Sequence, residues 1–402
     1  MLWLLRNLTS RSPSTVILTC VRTKTVASVS AFVPASEEPG ETGVVTRDVV
    51  INPRTGVSVR LFLSVGAAAT GSKLPLIVYF HGGSFCTGSA FSKLFHRYAT
   101  SLSARAGALV VSVDYRLAPE HPVPATYDDA WAALRWVASL ADPWVANHAD
   151  PTRVFLAGES GGANIAHNTA VRAMAPDGDD IDINGLILVQ PFFWGSERLP
   201  SETNWRSPRS VFAPERVDIL WPFVTAGTAG NDDPRVNPPS GVVMGLPCRR
   251  ALVSVASNDV LRERGHRYAT WLRRGEWCRE VTFVESEGQD HGFHLVRPRH
   301  ATAVALMDRV VEFIDGSAPS PASHAKTEHW HAREDTTKAP MWAQGSGKQI
   351  LEGPRMNALV IRPAKPPAMA FGLTLGRYSS SKMIQKGPFA SAALGRTVAS
   401  FP

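Results

Sequence analysis

From about residue 43 onward, short runs rich in Val, Ile and Leu recur along the chain: VVTRDVVI, VSVRLFL, LPLIVYF, ALVVSV, VFLA, GLILV, ALVSVA and EVTFV. Several are apolar at nearly every position, the pattern of strands covered on both faces. Between them the spacing turns helical, over 127–140 (YDDAWAALRWVASL), 161–173, 264–273 and 299–314. Strands alternating with helices predict an α/β fold, with a mostly parallel central sheet, helices on both faces and an antiparallel hairpin at its start. The stretch 195–245 breaks the alternation. It is rich in Pro, Trp and Phe (Trp205, Phe212, Trp221, Phe223) and reads as a small inserted cap. The expected organisation is one α/β domain over 42–316, an atypical N-terminal segment over 1–41 and a basic, mostly disordered tail over 317–402, where Pro, Ser, Gly and Ala replace the periodicity.

Composition narrows this picture. The longest apolar runs are strand-sized, well short of the roughly 20 residues a membrane helix needs, so no membrane span is expected. The net charge of +7 comes from the ends: 317–402 holds 11 Lys/Arg against 4 Asp/Glu, and 1–36 holds 4 against none. Of the totals of 42 and 35, the centre keeps 27 basic and 31 acidic residues. A basic nucleic-acid face is therefore not expected on the body. The four cysteines, Cys20, Cys86, Cys248 and Cys278, are widely spaced, with no CxxC pair. That usage suits a reducing compartment and a cytoplasmic protein. The acid-free start weakly resembles a mitochondrial or plastid transit peptide, although Pro13 and poor periodicity count against it. His324, His329 and His331, near Glu328, read as part of a solvated tail, and no metal site is expected.

The chemistry starts at GESGG (158–162). A G-x-S-x-G match arises by chance in roughly one chain in six to ten of this length, so the motif alone decides little. Its setting is more specific, since VFLA before it reads as a strand and GGANIAHNTAVRA after it as a helix. That is the strand, sharp turn and helix that expose a serine nucleophile, with glycines relieving the crowding around it. His167 is close in sequence but about 10 Å along the same helix, beyond the roughly 3 Å reach of a general base. It reads as a packing or surface histidine. Later strand ends offer better partners: ALVSVA leads into SNDVLRE, with Asp259, and EVTFV into ESEGQDHGFHL, with His291. Both sit on the side where open α/β sheets gather ligands. They are preferred over the rivals Asp290, which adjoins the histidine ring it would have to meet, and His294. LPLIVYF runs into HGGSF (81–85), a glycine pair whose backbone N–H groups can face a substrate oxygen together with that of Gly161.

Together these pieces resemble the plant carboxylesterases of the hormone-sensitive lipase group of α/β-hydrolases. The matching segments are HGGSFCTGSA (81–90), DYRLAPEHPVPATYDDA (114–130), GESGGANIAHN (158–168), DDPRVNP (232–238), NDVLRERGHRYATWL (258–272) and DHGFHL (290–295). The resemblance implies Ser160 as nucleophile, His291 as base, Asp259 as its orienter, oxyanion donors at Gly82, Gly83 and Gly161, and pockets lined near Phe85, Phe192, Phe193 and Trp221. It implies a small-molecule ester substrate, no cofactor, and a monomer or weak dimer. The fourth position of the common HGGG is Ser84, as in the related gibberellin receptors. Those receptors lack the catalytic histidine, which His291 retains. The leading expectation is a serine carboxylester hydrolase of small to medium apolar acyl esters. The alternatives are a receptor-like small-molecule binder and a dehydratase or transacylase using the same triad.

Overall fold

The computed structural model describes residues 31–175, 181–205, 213–278 and 280–316. Residues 1–30 and the tail from 317, with the transit-peptide and tail expectations that fall on them, lie outside the described residues, as does Phe212.

Eight strands form one sheet: β1 (Val44–Asn52), β2 (Val57–Ser64), β3 (Leu74–Phe80), β4 (Leu109–Asp114), β5 (Ala149–Glu159), β6 (Ile183–Val189), β7 (Cys248–Ala256) and β8 (Glu280–Ser286). Their order is β1-β2-β4-β3-β5-β6-β7-β8. β1 pairs antiparallel with β2, and β2 with β4; every pair from β4 onward is parallel. All eight strands expected from the hydrophobic pattern are present, as is the antiparallel start.

Five longer helices cover the sheet: α1 (Lys93–Ala106), α2 (Val123–Ala138), α3 (Gly161–Ala173), α4 (Arg262–Arg274) and α5 (Ala301–Asp315). Alternation along the strands explains the two layers. Leu76, Val78 and Phe80 of β3 join the core that α2, α3 and α4 cover, whereas Ile77 and Tyr79 join the one under α1 and α5. Helix α1 is absent from the elements read off the sequence. Its signal was there: Phe95, Ala99, Leu102 and Ala106 recur at helical spacing and are all buried, but Arg, His, Ser and Thr between them mask the stripe.

Among the described residues of 195–245 the elements are short helices, Pro200–Thr203, Pro214–Val217, Leu220–Val224 and Ser240–Met244. Val217, Leu220, Trp221 and Val224 drop into the same core as α3 and α4. The Arg264 guanidinium of α4 donates to Glu202 at 2.5 and 3.0 Å and to the Glu197 carbonyl at 2.8 Å. Both side chains of that ion pair are buried.

Candidate active site

The site assembles where the parallel strands end, and backbone geometry explains how. β5 finishes at Glu159 and α3 begins at Gly161, leaving Ser160 to make the whole turn at φ 56° and ψ −119°. A side chain at such a positive φ is strained, and the surroundings hold it there. The turn is tight enough to need its glycines: a Cβ at Gly162 would lie 1.9 Å from the Phe80 carbonyl oxygen, and one at Gly158 would lie 2.4 Å from Gly162. Ser160 donates its N–H to Val189 at the end of β6 and accepts from the Phe192 N–H, which locks the turn to the next strand.

From the loops after β7 and β8 come the other two groups. His291 Nε2 is 2.9 Å from Ser160 Oγ, and His291 Nδ1 is 2.6 Å from Asp259 Oδ2. The second Asp259 oxygen accepts the Leu261 N–H at 3.0 Å, fixing the carboxylate plane. All three residues are buried. The rivals are placed elsewhere. Asp290 accepts the backbone N–H of His291 at 2.8 Å, whereas the ring's Nδ1 meets Asp259. His294 packs edge-on to Tyr98, and neither ring nitrogen has a hydrogen-bond partner among the described residues. Burial, with His291 nearby, lowers its pKa to about 3. His167 is likewise a buried packing residue: Tyr268 lies 2.9 Å from its Nδ1, and burial lowers its pKa to about 3.

The glycine loop departs from expectation at one position. Gly82 does not offer its N–H to a substrate, because that group donates to Glu159 Oε1 at 2.5 Å. A buried carboxyl beside the loop needs a donor, and Gly82 supplies it. The N–H groups of Gly83 and Gly161 have no acceptor among the described residues, and neither does that of Ser84, which sequence reading passed over. Ser84 and Phe85 both adopt positive φ, 57° and 61°, so the loop turns sharply after the glycine pair.

Of the four aromatic residues expected at the pocket, three cluster. Phe85 meets Phe192 and Trp221 edge-on at 5.8 and 5.7 Å, and its ring lies beside Gly161. Phe193 stands apart, stacked on Tyr268 at 4.6 Å and edge-on to His167, so its ring belongs to the packing of α3 against α4. Sequence reading also missed Gln190. Its Oε1 accepts the Gly292 N–H at 2.7 Å and its Nε2 donates to the Asp290 carbonyl at 3.3 Å, tethering the histidine loop on both sides of His291. A polar residue immediately past the end of β6 was the available signal.

A buried serine, histidine and carboxylate in hydrogen-bond series, at the strand ends of a mostly parallel sheet, is the arrangement of an α/β-hydrolase. The model of the alpha/beta hydrolase fold matches residues 77–295, and the chain belongs to that family. Within it the chain falls in the hormone-sensitive lipase group, alongside plant carboxylesterases. It is 41% identical to tuliposide A-converting enzyme 2, chloroplastic, of Tulipa gesneriana, over 72% of this chain and 75% of that one. It is 40% identical to 2-hydroxyisoflavanone dehydratase of Glycyrrhiza echinata, over 71% and 89%, and 36% identical to probable carboxylesterase 2 of Arabidopsis thaliana, over 68% and 86%. Among solved structures, the hyperthermophilic esterase of Pyrobaculum calidifontis superposes with a TM-score of 0.60 at 26% identity, covering 78% of this chain and 96% of that one.

Proposed function

We propose that the protein is a serine carboxylester hydrolase acting on small to medium apolar acyl esters. The observation that carries this reading is the unbroken series from Ser160 Oγ through the His291 ring to Asp259, at 2.9 and 2.6 Å. Ser160 attacks the ester carbonyl while His291 Nε2 takes its proton, and Asp259 holds the Nδ1–H tautomer and balances the imidazolium. The carbonyl oxygen, now negative, is received by the N–H groups of Gly83, Ser84 and Gly161. His291 returns the proton to the leaving alcohol, and water repeats the sequence to release the acid. No step calls on a metal or organic cofactor. Among the described residues no helix is long and apolar enough to cross a membrane. The apolar wall of Phe85, Phe192 and Trp221 favours an apolar acyl group.

A second reading is favoured by the identity of about 40% to a dehydratase and to tuliposide A-converting enzymes: the same base and donors serve elimination or acyl transfer. The intact serine–histidine contact weighs against a purely receptor-like role. Relatives named as chloroplastic or amyloplastic support a plastid location over the cytoplasm.

Fluorophosphonate labelling followed by peptide mapping tests the main reading. Modification at Ser160, with loss of p-nitrophenyl butyrate hydrolysis in Ser160→Ala, is the expected result. A label on another residue, or equal rates in the two proteins, would overturn it.

A further inference from the structure

Glu159 precedes the serine and has a chemical setting that the reaction does not explain. Its carboxyl is buried, and among the described residues no lysine or arginine bonds to it. Instead the Tyr79 hydroxyl of β3 donates to Oε2 at 2.6 Å and the Gly82 N–H donates to Oε1 at 2.5 Å. Gly82 stands one residue before the first free N–H of the oxyanion loop. The carbonyls around it are held as well: the Tyr115 hydroxyl donates to the His81 carbonyl at 2.5 Å, and the His81 ring, stacked on Tyr115 at 4.3 Å, lies 2.7 Å from the Gly82 carbonyl oxygen through Nδ1.

We propose that Glu159 is a positioning residue for the oxyanion loop: by receiving the Gly82 N–H, its carboxyl fixes the peptides of Gly83 and Ser84 with their N–H groups facing the Ser160 adduct. This rests on the hydrolase reading above. A carboxylate so close to a developing oxyanion would oppose it, so the residue acts as the neutral acid, its proton on Oε2 shared with the Tyr79 hydroxyl across the 2.6 Å contact while Oε1 still accepts from Gly82. Burial supports that state, pushing the Glu159 pKa up to about 8 against the opposing effect of its hydrogen bonds from Tyr79, Gly82 and its own backbone N–H. The titratable groups facing it are Tyr79 on β3, Tyr98 on α1 and Tyr115 after β4, each driven upward by burial and then by Glu159 itself. His81 next to Gly82 is pushed down by burial. In the window around pH 8 these neighbours stay neutral, leaving Glu159 as the group of this cluster that gains charge.

Below about pH 8 the acid is neutral and the loop serves the oxyanion; above it the carboxylate forms and kcat falls. Glu159→Gln keeps an oxygen for Gly82 and cannot ionise, whereas Glu159→Ala removes the acceptor.

Steady-state hydrolysis of p-nitrophenyl butyrate from about pH 6 to 9.5, with background hydrolysis subtracted, separates the cases. Losing the aim of oxyanion donors costs on the order of 10²-fold, so Glu159→Ala should lose about that in kcat with KM little changed. Glu159→Gln should recover most of that loss and keep its rate above pH 8, where the wild type declines. If Glu159→Gln declined alongside the wild type, or Glu159→Ala turned over at the wild-type rate, the positioning role would be overturned. Should Glu159→Ala fail to fold, the pH comparison of wild type with Glu159→Gln decides alone. Fluorophosphonate labelling of the same samples separates the two failures: no label on Ser160 removes the hydrolase reading and this inference with it, while normal labelling with no Glu159 effect removes the inference only.

Discussion

The floor of the site and the cap region over 195–245 are held in different ways. The floor is built from strand ends already registered by the sheet, so each member of the serine–histidine–aspartate series inherits a position from the ladder. Ser160 is tied to β6 through Val189, Asp259 follows β7, and His291 follows β8 within a loop that Gln190 tethers. Among its described residues the 195–245 segment contributes no strand to that ladder. Its short helices depend on side chains, chiefly the buried Arg264–Glu202 pair and the aromatic contacts of Trp221. The serine–histidine–aspartate series therefore rests on backbone order, and the segment that carries Trp221 on side-chain packing.

Asp259→Asn attacks the floor and carries the largest expected effect. Loss of the correct histidine tautomer in a triad costs on the order of 10⁴-fold in kcat, with the overall fold preserved. Stopped-time ester hydrolysis beside a circular dichroism spectrum checks this, and a loss below about tenfold would remove Asp259 from the series. Next comes Arg264→Met, which strips Glu202 of its buried partner. Removing one member of such a pair costs about 3–5 kcal/mol, read as a shift in the urea midpoint. The comparison would fail if stability stayed put. The smallest effect is on selectivity. Trp221→Leu should raise kcat/KM for octanoate relative to acetate esters by about 10-fold, the scale on which one pocket contact discriminates. An unchanged ratio would place Trp221 outside the acyl pocket.

Legibility in the sequence divided along the same line. Apolar runs of strand length named all eight strands, and the order of glycine loop, serine, acid and histidine named the groups that the structure brings together. Features that depend on which partner lies opposite were harder. Gly82 reads like any oxyanion-loop glycine until Glu159 is seen to occupy its N–H. Phe193 follows Phe192 in sequence, yet the two rings pack in different places, one with Phe85 and the other with Tyr268. Helix α1 was hidden because its polar face dilutes a narrow apolar stripe.

Periodicity and glycine placement are local properties of the backbone, so the α/β plan, the strand-to-helix turn at Ser160 and the chain order of Ser160, Asp259 and His291 were legible in the chain alone. The folded arrangement settled which N–H groups remain free, which aromatics cluster beside Gly161, and that a buried acid next to Ser160 is bound by Tyr79 and Gly82. Those are matters of contact between residues far apart in the chain, 80 positions for Tyr79 and Glu159 and more for Phe85 and Trp221, and no local pattern encodes them.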